Sequence, residues 1–215
     1  QDLYVDYGGN ALNAAVTLAR QDLDVGMACQ LGTDLLSQNV QNILQGEGIS
    51  QELALVKEGV KIPQSTIIVA PSGERAILAY PGSAIDHQAV LASLDGVEAR
   101  WLYLSSVGSL ELLRGAINYA QLNQIRVAFN PGGIELTSPE VLKLILPQVD
   151  TLIMNKQEAV SLFGNLEAPS LCQAAAEYVK TTIVTDGPNG AYAYDGKDHY
   201  HQPISAEVSV VDRTG

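Results

Sequence analysis

Hydrophobic and polar positions along the chain follow two periods, one typical of helices and one typical of strands. Apolar positions three and four residues apart predict helices at 10–19, 35–45, 87–94, 110–122, 139–146, 156–163 and 171–179. Short apolar or alternating runs predict strands at 2–7, 25–31, 53–56, 65–70, 75–80, 101–105, 125–129, 151–154, 182–185, 191–194, 199–202 and 207–211. Between 87 and 185 the two kinds of element alternate, which is typical of a mostly parallel sheet buried between helices.

The stretch from 53 to 82 is predicted to contain strands and no helix. Two of its strands flank Pro71-Ser72-Gly73-Glu74, a favourable hairpin turn. We therefore predict one α/β domain that covers 1–215. The first residues and the segment 62–82 are predicted to form a small β-structured extension of that domain.

Composition and charge exclude several classes of protein. The 215 residues are 47% hydrophobic and 17% charged, close to the soluble globular average, which excludes disorder and coiled coil. Twelve basic residues against 24 acidic ones give a net charge of −12, which argues against a nucleic-acid partner. No apolar stretch reaches the roughly 18 residues that a membrane span needs. Cys29 and Cys172 match no metal or redox spacing, which favours a reducing compartment, and we predict a cytoplasmic location.

In open α/β sheets ligands bind at the carboxyl ends of the strands, so the residues that follow predicted strands are the first candidates for a site. Gly8 and Gly9 permit close approach of a ligand, and Asn13 is predicted to project from the first helical turn toward the same place. The alternative is a plain glycine turn with Asn13 as a local cap. The spacing does not distinguish the two.

A second candidate is the pair Asn155 and Glu158, which share one face of a helix that begins after a strand. A carboxylate there is suited to hold a hydrated Mg²⁺. The alternative is a capping box, in which Asn155 caps the helix and Glu158 is its partner in the first turn. Taken alone, the spacing favours the cap.

The segment 185–190, Thr-Asp-Gly-Pro-Asn-Gly, is a strand end followed by a glycine-rich turn. It is suited either to pass close to a nucleotide phosphate or to form an ordinary hairpin. The phosphate loop, the dinucleotide glycine fingerprint, the His-Glu-x-x-His zinc motif and Gly-x-Ser-x-Gly are all absent from the sequence. His199 and His201 alternate on a short polar strand, a pattern that favours solvated or capped side chains over catalysis.

Taken in order, these pieces resemble the ribokinase-like, or PfkB, family of carbohydrate kinases. The matching segments are 8–15 for the glycine-pair signature, 155–158 for Asn-x-x-Glu, 185–191 for the nucleotide-site turn and 211–215 for the lead-in to Gly-Ala-Gly-Asp. The resemblance implies a three-layer α/β/α core with a mostly parallel sheet. It also implies a small β-sheet lid, with strands in 1–7 and 62–82, that closes over a sugar or nucleoside.

The activity implied by the resemblance is ATP-dependent phosphorylation of a hydroxyl on that substrate. The implied site residues are Gly8, Gly9 and Asn13 for the substrate, Asn155 and Glu158 for Mg²⁺ and the phosphates, and Thr185, Gly187 and Gly190 for the nucleotide. Glu158 is expected to hold Mg²⁺ through water. Asp212 and Thr214 are expected beside the nucleotide, where some members hold a monovalent cation such as K⁺, and Gly215 is expected to begin the anion hole. A homodimer formed through the lid sheets is also implied.

The match to Gly-Ala-Gly-Asp reaches only its first glycine, Gly215, and the chain begins at Gln1 without a methionine. We therefore expect a segment cut at both ends from a longer kinase, inactive as it stands, with the catalytic aspartate after Gly215. The alternative is a naturally shortened, non-catalytic relative that binds a ligand or partner. A dehydrogenase-type α/β domain also fits the alternation, but no fingerprint supports it. Neither 80–83 nor 130–133 distinguishes ribose, fructose, another sugar acid or a nucleoside as substrate.

Overall fold

The structure, a computed structural model, describes residues 5–69 and 75–204. The chain divides into two compact units, 1–96 and 97–215. Assignment of the whole chain to a single domain stays a prediction. None of the helices in the described residues is long and apolar enough to cross a bilayer.

The first unit combines helices with two small sheets. Its elements are α1 (Asn10–Ala19), β1 (Cys29–Leu31), α2 (Leu35–Gly46), β2 (Ala54–Val56), β3 (Gln64–Val69), β4 (Arg75–Tyr80) and α3 (His87–Ser93). Strands β1 and β2 pair in parallel. The buried core of this unit includes Leu12, Leu31 and Leu44. In α1 the buried residues are Leu12 and Ala15, whereas Ala11 is exposed.

Strands β3 and β4 form the predicted antiparallel hairpin, paired from Gln64 with Tyr80 to Val69 with Arg75. The predicted turn at 71–74 lies outside the described residues. At the base of the hairpin the Ser83 amide donates to the Lys61 carbonyl at 2.8 Å. The other predicted lid strand, 1–7, is not a strand over 5–7; there the Tyr7 amide donates to the Asp6 side chain at 2.8 Å, and residues 1–4 lie outside the described part.

The second unit alternates strands and helices. Its elements are β5 (Trp101–Ser105), α4 (Leu110–Leu122), β6 (Arg126–Asn130), α5 (Gly133–Leu136), α6 (Pro139–Ile145), β7 (Thr151–Asn155), α7 (Lys156–Phe163), α8 (Ala168–Ala175), β8 (Thr181–Thr185), β9 (Ala191–Tyr194) and β10 (His199–Gln202). Short 3₁₀ turns cover Leu146–Gln148 and Gly187–Asn189.

One six-stranded sheet joins β5 to β10 in sequence order. Strands β5 to β8 are parallel, and β9 and β10 continue the sheet antiparallel. Helix α4 contacts β6, α7 contacts β7 and β8, and α8 contacts β8 and β9. Parallel strands bring their carboxyl ends to one edge, and here Ser105 lies beside Asn130 while Asn155 lies beside Thr185.

Three elements differ from their predicted form. Helix α8 begins three residues before its predicted start, because Pro169 is favourable in a first helical turn. Of the predicted strand 25–31 only its end joins a sheet, and Gly26 forms a single bridge with Ser50. The short helix α5 was not predicted. The predicted strand at 207–211 lies outside the described residues.

Candidate functional site

Polar side chains line the carboxyl edge of the parallel strands in the second unit. The Ser105 hydroxyl donates to Asn130 Oδ1 at 3.3 Å, and Asn130 Nδ2 donates to the Ile153 carbonyl at 3.0 Å. Tyr103 lies one strand repeat before Ser105, and burial raises the pKa of its phenol. A connected polar row therefore runs across the ends of β5, β6 and β7.

Asn155 and Glu158 form the reciprocal pair that the cap interpretation predicts. The Glu158 amide donates to Asn155 Oδ1 at 2.9 Å, and the Asn155 amide donates to Glu158 Oε2 at 2.8 Å. The pair thus begins α7 and also fixes the Glu158 carboxylate at the edge of the sheet. A capping role and a ligand role are compatible, since the hydrogen bond from the Asn155 amide engages only Oε2 of the carboxylate.

The Glu158 carboxylate is half-buried and has no ion-pair partner among the described residues. Burial raises its pKa, and hydrogen bonds from Asn155 and Asn130 oppose that shift. The described residues contain no group of three or more His, Cys, Asp and Glu side chains that would form a metal cage. A single carboxylate fits Mg²⁺, which keeps several waters and shares its coordination with substrate phosphates.

The turn after β8 has a defined shape. The Asp186 amide donates to the Gly190 carbonyl at 2.8 Å, and Gly187 and Gly190 have φ of 50° and 86°. A Cβ on Gly190 would lie 2.2 Å from the Gln202 carbonyl oxygen, so only glycine fits there. Gly187, by contrast, faces open space. The turn thus leaves Thr185 and Gly187 exposed at the same edge as Asn155.

Lys156 links the two neighbouring turns, a contact that the sequence did not predict. Its ammonium group lies 2.9 Å from Glu167 Oε2 and 3.1 Å from Asp186 Oδ2. The two carboxylates raise the pKa of Lys156, while Asn189 and Lys156 lower the pKa of Asp186. The first residue of α7 therefore ties that helix to the glycine-rich turn.

In the first unit, the glycine pair and Asn13 are brought together. Gly9 caps α1 without a side-chain hydrogen bond and has φ of 105°. A Cβ on Gly8 would lie 3.7 Å from Asn13 Oδ1, so the amide of Asn13 lies over the Gly8 backbone. Asn13 is not the cap, and within the described residues its side-chain amide has no hydrogen bond. The side-chain amide of Asn13 therefore lies next to the Gly8 backbone, and Gly9 faces open space.

Asp212, Thr214 and Gly215 lie outside the described residues. The histidines of β10 are exposed and contact neighbouring residues. His201 Nε2 is 2.9 Å from the Asn189 carbonyl oxygen, and its ring stacks on Tyr192 with centroids 4.4 Å apart. His199 packs against Tyr194 at 4.5 Å.

A sequence profile of the family described as "pfkB family carbohydrate kinase" matches residues 1–215. Ribokinase from Haemophilus influenzae is 26% identical over 201 residues, which cover 89% of this chain and 64% of that protein. The chain therefore spans less than two thirds of the length of that relative.

Two solved structures have the same fold as this chain. A nucleoside kinase from Methanocaldococcus jannaschii superposes with a TM-score of 0.79 at 22% identity, over 97% of this chain and 68% of that one. An Escherichia coli protein assigned as a ribokinase II, in complex with ATP and Mg²⁺, superposes with a TM-score of 0.81 at 19% identity, over 97% and 70%. The predicted ribokinase-like α/β fold is confirmed.

Proposed function

The chain belongs to the pfkB family of carbohydrate kinases, and from that premise we propose that the protein transfers the γ-phosphoryl group of ATP to a hydroxyl of a sugar or nucleoside. A bond forms between the acceptor oxygen and the γ-phosphorus, the bond from that phosphorus to the departing ADP oxygen breaks, and the hydroxyl proton passes to a base. The family pattern assigns the base to an aspartate after Gly215. The observation that carries the proposal is the Asn155–Glu158 pair at the carboxyl edge of the sheet.

Glu158 is proposed to hold Mg²⁺ through water, with Asn155 beside it. When bound, Mg²⁺ neutralises the charge that develops on the phosphates. The capping box holds the Glu158 carboxylate in place before any ligand arrives, which lowers the cost of ordering it. The ATP and Mg²⁺ held by the Escherichia coli protein of the same fold support this assignment.

The turn formed by Thr185, Gly187 and Gly190 is proposed to line the nucleotide. Gly187 is exposed and faces open space, so a ligand can approach the backbone closely at that residue. The N–H groups of Asp186, Asn189 and Gly190 donate within the turn and hold its shape. Asp212 and Thr214 are proposed beside this turn, with a monovalent cation such as K⁺, and Gly215 at the start of the anion hole.

Gly8, Gly9 and Asn13 are proposed to bind the hydroxyls of the acceptor. The open glycine backbone and the Asn13 amide supply the donors and acceptors that hydroxyl groups require. The curated relatives are ribokinases and one structural neighbour is a nucleoside kinase, which supports a sugar or nucleoside as acceptor.

The hairpin β3–β4 is proposed as a lid over the acceptor and as the contact between two copies of the chain. It exposes apolar side chains, among them Ile68 and Leu78, which are 56% and 64% accessible. We also propose a cytoplasmic location, which the free thiols of Cys29 and Cys172 support. A nucleic-acid partner is not proposed, because the chain carries a net charge of −12.

The test is ADP release by the intact protein with Mg·ATP and a panel of sugars and nucleosides. Acceptor-dependent ADP release supports the proposal. Binding of an acceptor without any ADP release would instead favour the non-catalytic relative. Failure to release ADP with every acceptor, together with failure to bind Mg·ATP, would refute a kinase.

A further inference from the structure

Glu135 is a carboxylic acid with no exposed surface, placed in the four-residue helix α5. Burying an ionised carboxylate is expensive unless hydrogen bonds compensate for the lost water. It makes no ion pair within the described residues. The burial of Glu135 therefore costs free energy, and its presence at this position needs an explanation.

Both carboxylate oxygens of Glu135 accept backbone hydrogen bonds, each from a different segment of the chain. Oε1 accepts from the Gly108 amide at 2.7 Å, and Oε2 accepts from the Gly132 amide at 2.9 Å. Gly108 follows β5, and Gly132 follows β6. A single side chain thus holds together the two segments that leave the sheet at its carboxyl edge.

These segments meet closely at Gly132. A Cβ there would lie 2.9 Å from both Cβ and Oγ of Ser106 and 3.0 Å from Glu135 Oε2. Ser106 itself has φ of 45°, an uncommon conformation for a residue with a side chain. Such strain persists only where the surroundings fix it. The two hydrogen bonds of the Glu135 carboxylate, which we call the Glu135 clamp, lie directly beside Ser106.

The segments that Glu135 holds together contact Asn130, and Asn130 contacts the strand that leads to Glu158. The Ser106 amide donates to the Asn130 carbonyl at 3.0 Å, and the Ser105 hydroxyl donates to Asn130 Oδ1 at 3.3 Å. Asn130 Nδ2 in turn donates to the Ile153 carbonyl of β7 at 3.0 Å. Two residues later in the chain, the Asn155 amide donates to Glu158 Oε2 at 2.8 Å. The position of Asn130 is therefore set from two sides, by the segment after β5 and by its own segment leading to Gly132.

We propose that Glu135 is a positioning residue for Mg·ATP, because its carboxylate locks the segments after β5 and β6 together and so fixes Asn130 against the end of β7, where Asn155 holds Glu158. This inference rests on the proposed function of Glu158. Glu135 makes no contact with the ligand and acts through the loops. The loss of an outer partner that orients a metal ligand commonly costs about 10–100-fold in affinity.

The test measures Mg·ATP and acceptor dissociation constants by calorimetry on the intact protein. Glu135→Gln retains one acceptor oxygen but turns an amide N–H₂ toward a backbone donor, so we expect Mg·ATP binding about tenfold weaker. The acceptor constant should stay within about twofold, since only the loops near Glu158 change. The control is Ile117→Ala in α4, a core variant that lowers the melting temperature and should leave both constants unchanged.

A second variant disturbs the same junction without removing the charge. Gly132→Ala places a methyl group against Ser106 and should weaken Mg·ATP binding similarly. Adding Ser106→Gly removes the two closest contacts and relieves the positive φ, while the contact of the new Cβ with Glu135 Oε2 at 3.0 Å remains. The double variant should therefore recover part of the lost affinity. This pair of variants keeps the test decisive if Glu135→Gln does not fold.

The outcomes separate this inference from the proposed function. Wild-type protein that binds no Mg·ATP refutes the function, and the inference fails with it. Wild-type binding with unchanged affinity in both Glu135→Gln and Gly132→Ala overturns the inference alone. Equal loss of Mg·ATP and acceptor binding, as expected from general loosening, also overturns it.

Discussion

Replacement of Glu158 separates its two roles, as a helix cap and as a magnesium ligand. Glu158→Gln retains a carbonyl oxygen that can accept from the Asn155 amide, so the cap persists while the charge is lost. Glu158→Ala removes both the oxygen that accepts from Asn155 and the charge. The two variants should therefore differ in stability and agree in their effect on Mg·ATP.

The magnitude of the stability difference follows from the one hydrogen bond. Its loss in Glu158→Ala should cost about 1 kcal/mol, which lowers the melting temperature by a few degrees, roughly 2–8 °C depending on how much of the chain unfolds as one unit. Burial raises the pKa of Glu158 above its ordinary 4.5, so the folded state holds the proton more tightly than the unfolded chain. Ionisation of this group thus opposes folding, and its contribution to stability falls as the pH rises through 4.5 toward the raised value. At neutral pH, Glu158→Gln should be at least as stable as the wild type.

Binding should show the opposite pattern. Because Glu158 is proposed to hold Mg²⁺ through water, both variants should bind Mg·ATP about 10–100-fold more weakly. Calorimetry gives the binding constants, and differential scanning fluorimetry gives the melting temperatures. Glu140→Gln, an exposed acid of α6, controls for the change in net charge. Mg·ATP affinity in Glu158→Gln equal to that of the wild type would show that the cap alone explains the pair and would refute the magnesium role.

Three further substitutions test other parts of the structure by thermal melting. Gly190→Ala should destabilise by roughly 1–3 kcal/mol more than Gly196→Ala, because both have positive φ but only the first meets a backbone oxygen at 2.2 Å; equal losses would contradict the turn geometry. Thr182→Val should raise the stability by about 1 kcal/mol, since the buried Thr182 hydroxyl has no partner in the described structure; a loss would show that it has one. Lys61 and the Ser37 amide lower the pKa of Asp34 from 3.8 to about 2, so its stabilisation is present above pH 3.8 and lost as the pH falls through about 2. Asp34→Asn keeps the helix cap but should show a shallower fall in melting temperature over that range, and an identical fall would exclude the ion pair as its source.

The sequence predicts most of the sheet because burial in a parallel sheet imposes continuous apolar runs. The strand Trp101–Ser105 and the helices Leu110–Leu122 and Lys156–Phe163 have the bounds that their periodicity predicts. The Asn155–Glu158 pair was predictable as a cap, since a capping box depends only on residues three apart.

Contacts between distant residues were not predictable in this way. The hydrogen bond of Glu135 joins residues 27 positions apart, and that of Lys156 with Asp186 joins residues 30 apart. An acidic residue in a first helical turn ordinarily indicates an exposed position that favours the helix dipole. Glu135 is instead buried, and its carboxylate accepts from the amides of Gly108 and Gly132. Only the tertiary structure reveals such a role.

The central claim is transfer of a phosphoryl group to an acceptor hydroxyl, and mass spectrometry of the acceptor after incubation of the intact protein with Mg·ATP tests it most directly. We predict one phosphate monoester on a sugar or nucleoside for each ADP formed, and little product with Glu158→Gln. ADP formed without a phosphorylated acceptor, or product formed equally by Glu158→Gln, would contradict the account.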